Sequence, residues 1–320
     1  MEQYILWNRV KHKLAQEADS MVLAIKKIFS STVWKNTYDV LKKKKIVAYW
    51  WRGKENKNWG DKINPLLISW LSGKDVVHVN DIINFRFIPV HTCIGSVIEH
   101  LRFKGVHIWG TGIISETSSI RIKPEKIHAV RGPSSLARLM SEGFHCPEIY
   151  GDPALLLPKF YAPNVEKTIE LGIIPHFKDK ENSDIKRLQK EGGVIIDIFG
   201  GETEFIDNVC RCKRVVSSSL HGLIVADAYG IPSKWIKVSG KIFGGDFKYG
   251  DYYRSIGVKN EGPLIIKRST TVNDLSQGCW EKEMRIDLDQ LLHSCPFYEN
   301  YQIDEIVVPR KTPDLEVYPY

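Results

Sequence analysis

Three short stretches concentrate residue types that move protons or hold anions. Residues 217–222 read SSSLHG, in which three hydroxyls precede one imidazole, His221, and then Gly222. Residues 130–135 read VRGPSS, with Arg131 between an apolar run and a proline-started segment. Residues 56–61 read NKNWGD, ending on Asp61. At a helix start the backbone amides favour an anion, and serine hydroxyls add donors. The positive end of that dipole repels an imidazolium, while a bound anion attracts one. A ring placed there suits general acid–base work. An arginine at such a turn can grip a carboxylate or phosphate in a fork. Asp61 reads either as a helix cap or as a catalytic carboxylate.

Other turns share this composition: CIGS (93–96), WGTGII (109–114), YGDP (150–153) and IIPH (173–176). His176 ends an apolar strand beside Pro175, which predicts a place at the mouth of a site. Asp152 reads as a turn residue. One serine suffices to cap a helix, so Ser218 and Ser219 are candidates for anion binding. No turn matches a dinucleotide fingerprint or a phosphate-loop lysine, and no histidine pair has zinc spacing. Cys210 and Cys212 form an isolated C-x-C, which reads as thiols in a reducing compartment.

The elements that position these turns follow from periodicity. Short β-branched runs alternate with helical stretches from residue 46 onward. Strands are predicted at 46–51, 75–79, 89–94, 105–109, 127–130 and 147–150, then at 171–177, 193–200, 214–219 and 233–238. Helices are predicted at 63–73, 96–102 and 133–143, then at 182–191, 202–212 and 219–229. Pro65 is expected in the first turn of the 63–73 helix. Alternation of this kind implies parallel sheets. Two cycles joined near 155–168 imply an α/β chain of two Rossmann-like domains facing a central cleft. Ligands then lie beyond the carboxyl ends of the strands. The expected division is a basic segment 1–45, an acceptor-side domain 46–160, a donor-side domain 161–295 and a tail 296–320.

The chain has 320 residues and a net charge of +7. Residues 1–45 alone carry +6, so the body is near neutral, which argues against nucleic acid as a partner. Residues 3–29 show apolar spacings of three and four, as in an amphipathic helix. Its basic face packs on the body or touches anionic lipid. No signal peptide and no membrane-spanning run is read, so a cytoplasmic protein, peripheral on the membrane's inner face, is expected.

Taken in order, NWGDKINPLL, CIGSVI, HIWGTGII, VRGPSS, YGDPALLLP, GIIPH and SSSLHGLIVADAYGIP resemble the polysaccharide pyruvyl transferases over roughly residues 46–260. The resemblance implies the two-domain arrangement of GT-B glycosyltransferases. It also implies transfer of pyruvate from phosphoenolpyruvate, a co-substrate, to a sugar, as a cyclic ketal with release of phosphate. Neither a metal nor another cofactor is implied. The acceptor is expected to be a lipid-linked oligosaccharide. By resemblance Asp61, Arg131 and His221 carry catalysis. His221 is assigned to proton transfer or the leaving phosphate, Arg131 to the donor's carboxylate or phosphate, and Asp61 to the acceptor hydroxyl. The His221 and Asp61 roles are interchangeable at this stage. Asn58, Gly60, Trp59, His176, Ser218, Ser219 and Gly222 are expected to bind donor or acceptor, with Trp59 stacking on a sugar. A nucleotide-sugar glycosyltransferase of GT-B architecture is the first alternative, and a non-enzymatic binder of anionic glycan or membrane the second.

Overall fold

The computed structural model describes residues 31–53 and 58–298. The expected helix at 3–29, the centre of the 52–61 loop and most of the 296–320 tail lie outside the described residues.

Helix α1 (Ser31–Leu41) leads into strand β1 (Lys45–Ala48), helix α2 (Trp59–Ser72), β2 (Asp75–His78), β3 (Val90–Thr92), β4 (Val106–Trp109), β5 (Lys126–Ala129) and α3 (Pro133–Ser141). All five strands are parallel, in the order β2-β1-β3-β4-β5. The second half repeats the alternation. It runs β6 (Gly172–Ile174), α4 (Ser183–Lys190), β7 (Val194–Ile195), α5 (Glu202–Cys210), β8 (Val215–Ser217), α6 (Leu220–Ala228), β9 (Ser233–Lys237), α7 (Phe247–Ser255) and β10 (Leu264–Ile265). Its parallel sheet has the order β10-β9-β8-β6-β7. Short helices α8 (Val272–Gln277) and α9 (Leu288–His293) follow. The fold is thus mixed α/β with two parallel five-stranded sheets. Strands buried on both faces need no alternation, which is why β6 and β8 read as continuous apolar or small-residue runs.

Several elements differ from the sequence expectation. PEIY at 147–150 forms only an isolated bridge, Val130 to Tyr150. The 96–102 helix is one 3₁₀ turn, Ile98–His100. GVIIDIFG pairs only through Val194–Ile195 before turning away. Helix α2 begins four residues early, at Trp59, so Pro65 sits inside it. A proline there cannot donate to the carbonyl of Asp61, four residues back. Asn64 compensates: its Nδ2 donates to Gly60 O and Asp61 O, both at 3.1 Å, and its Oδ1 accepts the Ile94 N–H at 2.9 Å. Gly73 closes the helix with φ +66°, where a side chain would be strained.

The halves share one buried apolar cluster. It runs from Ile63, Leu67 and Trp109 to Ile174, Phe205 and Leu223. Helix α2 packs on α5, and α3 on α7.

Candidate active site

A pocket of about 430 Å³ opens where the two halves meet. Trp51, Asn58, Asp61, Ser96 and His100 line it from the first half. His176, Lys178, Ser219, His221 and Lys248 line it from the second.

His221 lies in the first turn of α6 and is buried. Leu220 and Gly222, on either side of it, are buried as well. Two glycines make room for the ring and its turn. A Cβ on Gly60 would fall 2.1 Å from His221 Nδ1. A Cβ on Gly222 would fall 2.4 Å from Ser217 Oγ. On the far side, Nε2 of His221 lies 3.7 Å from Oδ2 of Asp152, which is wholly buried. The other oxygen, Oδ1, accepts the Ala154 N–H at 3.0 Å. Asp152 is therefore more than a turn residue: one oxygen fixes the turn and the other faces the imidazole. Sequence reading missed this role because GDP is also an ordinary turn.

The three serines divide the work. Ser217 Oγ accepts the Ser219 N–H at 2.9 Å and lies 3.0 Å from Ile174 O. Ser218 Oγ accepts the His176 N–H at 2.8 Å and reaches Asp179 Oδ2 at 3.4 Å. These two hydroxyls tie the end of β8 to the end of β6. Only Ser219 lines the pocket, and its side chain does not cap α6. Ser218, expected to bind donor or acceptor, does not line the pocket, and its hydroxyl holds the His176 amide.

Asp61 sits in the first turn of α2, on the pocket wall. Burial pushes its carboxyl up to about 7, although the charges of His221 and Lys248 and a backbone hydrogen bond from Trp51 pull the other way. A carboxyl in that range can give or take a proton near neutrality. It does not cap the helix; Asn58 holds the N-cap place without a side-chain bond, and its buried Oδ1 has no partner. His176 is neutral, pushed down to about 3 by burial and then by the charges of Lys248 and Lys178. Its Nδ1 accepts the Lys178 N–H at 3.3 Å. The ring proton then sits on Nε2, leaving a neutral donor.

Two expected residues lie elsewhere. Arg131 is wholly buried and does not line the pocket. Its Nε donates to Asp251 Oδ2 at 3.2 Å, Nη2 to Ile113 O at 2.8 Å, and Nη1 to Ser96 Oγ. Oδ1 of Asp251 accepts the Ser134 and Ser135 N–H groups at 2.9 and 3.0 Å. The arginine fork and helix start that read as an anion site do hold an anion, but it is the protein's own carboxylate. Gly112 and Gly132 allow this packing, since a Cβ at either would meet Arg131 Cζ at 2.4 Å or Asp251 O at 2.2 Å. Trp59 is also wholly buried; its ring packs against Phe205 and its Nε1 donates to Glu202 O at 2.7 Å. The tryptophan that lines the pocket is Trp51, 42% exposed, with its ring 4.5 Å from that of His100.

The buried cation at the pocket is Lys248, from α7, which sequence reading did not single out. Burial pushes its ammonium down to about 8, helped by Arg131 and Lys178 and opposed by Asp61. FKYGDYY carries no motif that distinguishes Lys248 from a solvated lysine. Among the described residues no group of three or more His, Cys, Asp or Glu is placed to hold a metal ion. None of the described helices is long and apolar enough to cross a membrane.

Comparison with known proteins adds independent support. Residues 25–240 match the family described as polysaccharide pyruvyl transferase. The chain is 31% identical over 231 residues to the uncharacterized protein L143 of Acanthamoeba polyphaga mimivirus, covering 68% of this chain and 79% of that one. It is 26% identical over 243 residues to the succinoglycan biosynthesis protein ExoV of Rhizobium meliloti (strain 1021), covering 72% and 71%. No solved structure gives a significant match. With the family pattern spanning two thirds of its length, the chain belongs to the polysaccharide pyruvyl transferases.

Proposed function

We propose that the chain moves the three-carbon unit of phosphoenolpyruvate onto two hydroxyls of a sugar in a lipid-linked polysaccharide repeat. The product is a pyruvate ketal, and inorganic phosphate is released. The observation that supports this reading best is the pocket's composition: a carboxyl near 7 on Asp61, a His221–Asp152 pair, and buried positive charge at Lys248. An enol phosphate needs those three things. A proton is added to the methylene carbon, which makes the adjacent carbon electrophilic. One sugar hydroxyl attacks it and loses its proton. The bond to the phosphate oxygen then breaks, and the second hydroxyl closes the ketal, losing its proton in turn. One of the two released protons replaces the one consumed at carbon, and the other leaves with phosphate.

In this reading Asp61 takes the acceptor proton, and His221, oriented by Asp152, delivers the proton to the donor. Ser219 and the neutral donor His176 hold donor oxygens, while Asn58 and Trp51 face the acceptor. Arg131 is a positioning residue acting through Ser96 and Asp251. The halves at 46–160 and 161–295 serve as acceptor side and donor side of a GT-B arrangement. A lipid-linked acceptor also gives the basic segment a purpose. Helix α1 exposes Trp34, Tyr38 and Leu41 beside the lysines at 42–45, a combination suited to an anionic lipid surface.

The test is phosphate release from phosphoenolpyruvate with lipid-linked oligosaccharide acceptors, the products placed by NMR. Release that requires acceptor, with a ketal methyl signal in the product, is expected. Stabilisation of the protein by nucleotide sugars alone, without phosphoenolpyruvate turnover, would overturn the reading. Replacing the exposed Trp34, Tyr38 and Leu41 with serine and Lys42, Lys43 and Lys44 with glutamine should weaken binding to anionic liposomes and leave turnover of a water-soluble acceptor intact; unchanged binding removes the membrane role.

A further inference from the structure

Lys248 is nine-tenths buried and lines the pocket. Among the described residues it has no hydrogen bond and no acid within ion-pair distance, and its Nζ lies 5.4 Å from the centroid of the Tyr249 ring. An ammonium removed from water in this way is costly unless a counter-charge meets it. Facing the same space is the start of α6, nine residues long, whose N-cap Ser219 makes no side-chain bond. Ser219, Leu220 and His221 all line the pocket there. Lys178, in the same wall, adds a second cation near enough to depress both His176 and Lys248. The start of α3 shows what such an arrangement accepts, because a carboxylate, Asp251, already fills it. At α6 none of the described residues takes that place.

We infer that Lys248, Lys178 and the open start of α6 form the subsite for a phosphate monoester dianion, the phosphate of the donor. The assignment rests on the pyruvyl-transfer reading for the donor's identity, but the anion chemistry stands on the residues alone. Lys248 neutralises the phosphate directly, the first amides of α6 supply directional donors, and the neutral His176 Nε2–H adds one more. Asp61 does not oppose binding, since its carboxyl near 7 is in part protonated at neutral pH.

Two measurements test the subsite. In titrations with inorganic phosphate and, separately, phosphoenolpyruvate, Lys248→Met should weaken binding at least ~10-fold and raise the KM for phosphoenolpyruvate. On the native chain, acetic anhydride should modify Lys248 at neutral pH, and inorganic phosphate should protect it, read by mass spectrometry. The second measurement needs no variant, so a folding defect in Lys248→Met cannot hide the answer. Unchanged phosphate affinity in a folded Lys248→Met, or acetylation indifferent to phosphate, overturns the subsite. Native turnover of phosphoenolpyruvate with an unaltered KM in Lys248→Met also overturns it, while leaving pyruvyl transfer standing. Protection of Lys248 by phosphate in a chain that ignores phosphoenolpyruvate upholds the subsite and removes the donor's identity instead.

Discussion

His221 touches the chain's other half across a glycine. The ring occupies the volume that a Cβ on Gly60 would need, 2.1 Å from Nδ1. Gly60→Ala should therefore shift the imidazole rather than distort the backbone of α2, whose first turn any residue can adopt. A displacement of this size at a reacting group costs on the order of 10²-fold in rate. Turnover is expected to fall by about that factor, with the midpoint of thermal unfolding changed by only a few degrees. Asp152→Asn keeps an oxygen for the Ala154 amide but removes the charge facing Nε2. Its kcat should drop by ~10²-fold or more with little change in KM, since the imidazole loses its orienting carboxylate. Asp61 makes a prediction about pH. Its carboxyl is raised from 3.8 to about 7, so the folded chain binds more protons than the unfolded one between those values. Stability contributed by the neutral form is present below about 4 and lost as pH rises through about 7. Asp61→Asn should then raise the unfolding midpoint at pH 8, by ~2–4 °C, and change it less at pH 5. In native enzyme, activity should fall as pH drops below about 7, and that limb should vanish in the residual activity of the Asn variant. At this scale the sequence was informative about His221, Asp61, Asn58, His176 and Ser219, which all reach the pocket. It misplaced Trp59 and Arg131 because a large side chain beside a glycine-rich turn packs equally well inward or outward, and no local pattern tells which.

The elements tell a similar story through their ends. Strand positions follow from apolar runs, and they are nearly all recovered because parallel strands covered on both faces are rich in apolar residues; the order of the strands within each sheet was not legible in those runs. Boundaries moved where side chains replaced backbone bonds. Asn64 is the clearest case, since it lets α2 run through Pro65 back to Trp59. Asn64→Ala should leave the Asp61 carbonyl and the Ile94 amide without partners; urea unfolding is expected to show a loss of ~2–3 kcal/mol. The tie between α3 and α7 is stronger. Arg131 and Asp251 are both fully buried, and each has several further bonds. Arg131→Met leaves the Asp251 carboxylate uncompensated, which typically costs about 3–5 kcal/mol. Chemical denaturation should register that loss, and activity should fall with it because Ser96, a pocket residue, is released too.

At the scale of the whole molecule, the pocket belongs to neither sheet alone. Its walls come from turns more than a hundred residues apart in sequence, Asp61 with His221 and Ser96 with Lys248. The alternation of strands and helices announces both halves, but nothing in it states how their carboxyl ends face. Lys248 was invisible for that reason: its meaning depends on Arg131, Lys178 and Asp61, all distant in the chain. A bound donor should stabilise the assembled molecule. Phosphoenolpyruvate at 100 times its Kd is expected to add about 2.7 kcal/mol, read as a concentration-dependent rise in the unfolding midpoint. A flat response would argue against the donor.

Lys248 and Asp251 lie on the same turn of α7, one facing the pocket and the other plugged into the start of α3. The charge that would greet a substrate is thus bolted to the opposite half by its neighbour three residues on. The two halves are consequently poor modules. A recombinant that exchanged residues 46–160 for those of a relative would inherit a socket for Asp251 only if Arg131, Gly112, Gly132 and the paired serines travelled together. Fragments of the chain expressed separately should recover activity on mixing only to the extent that this latch closes.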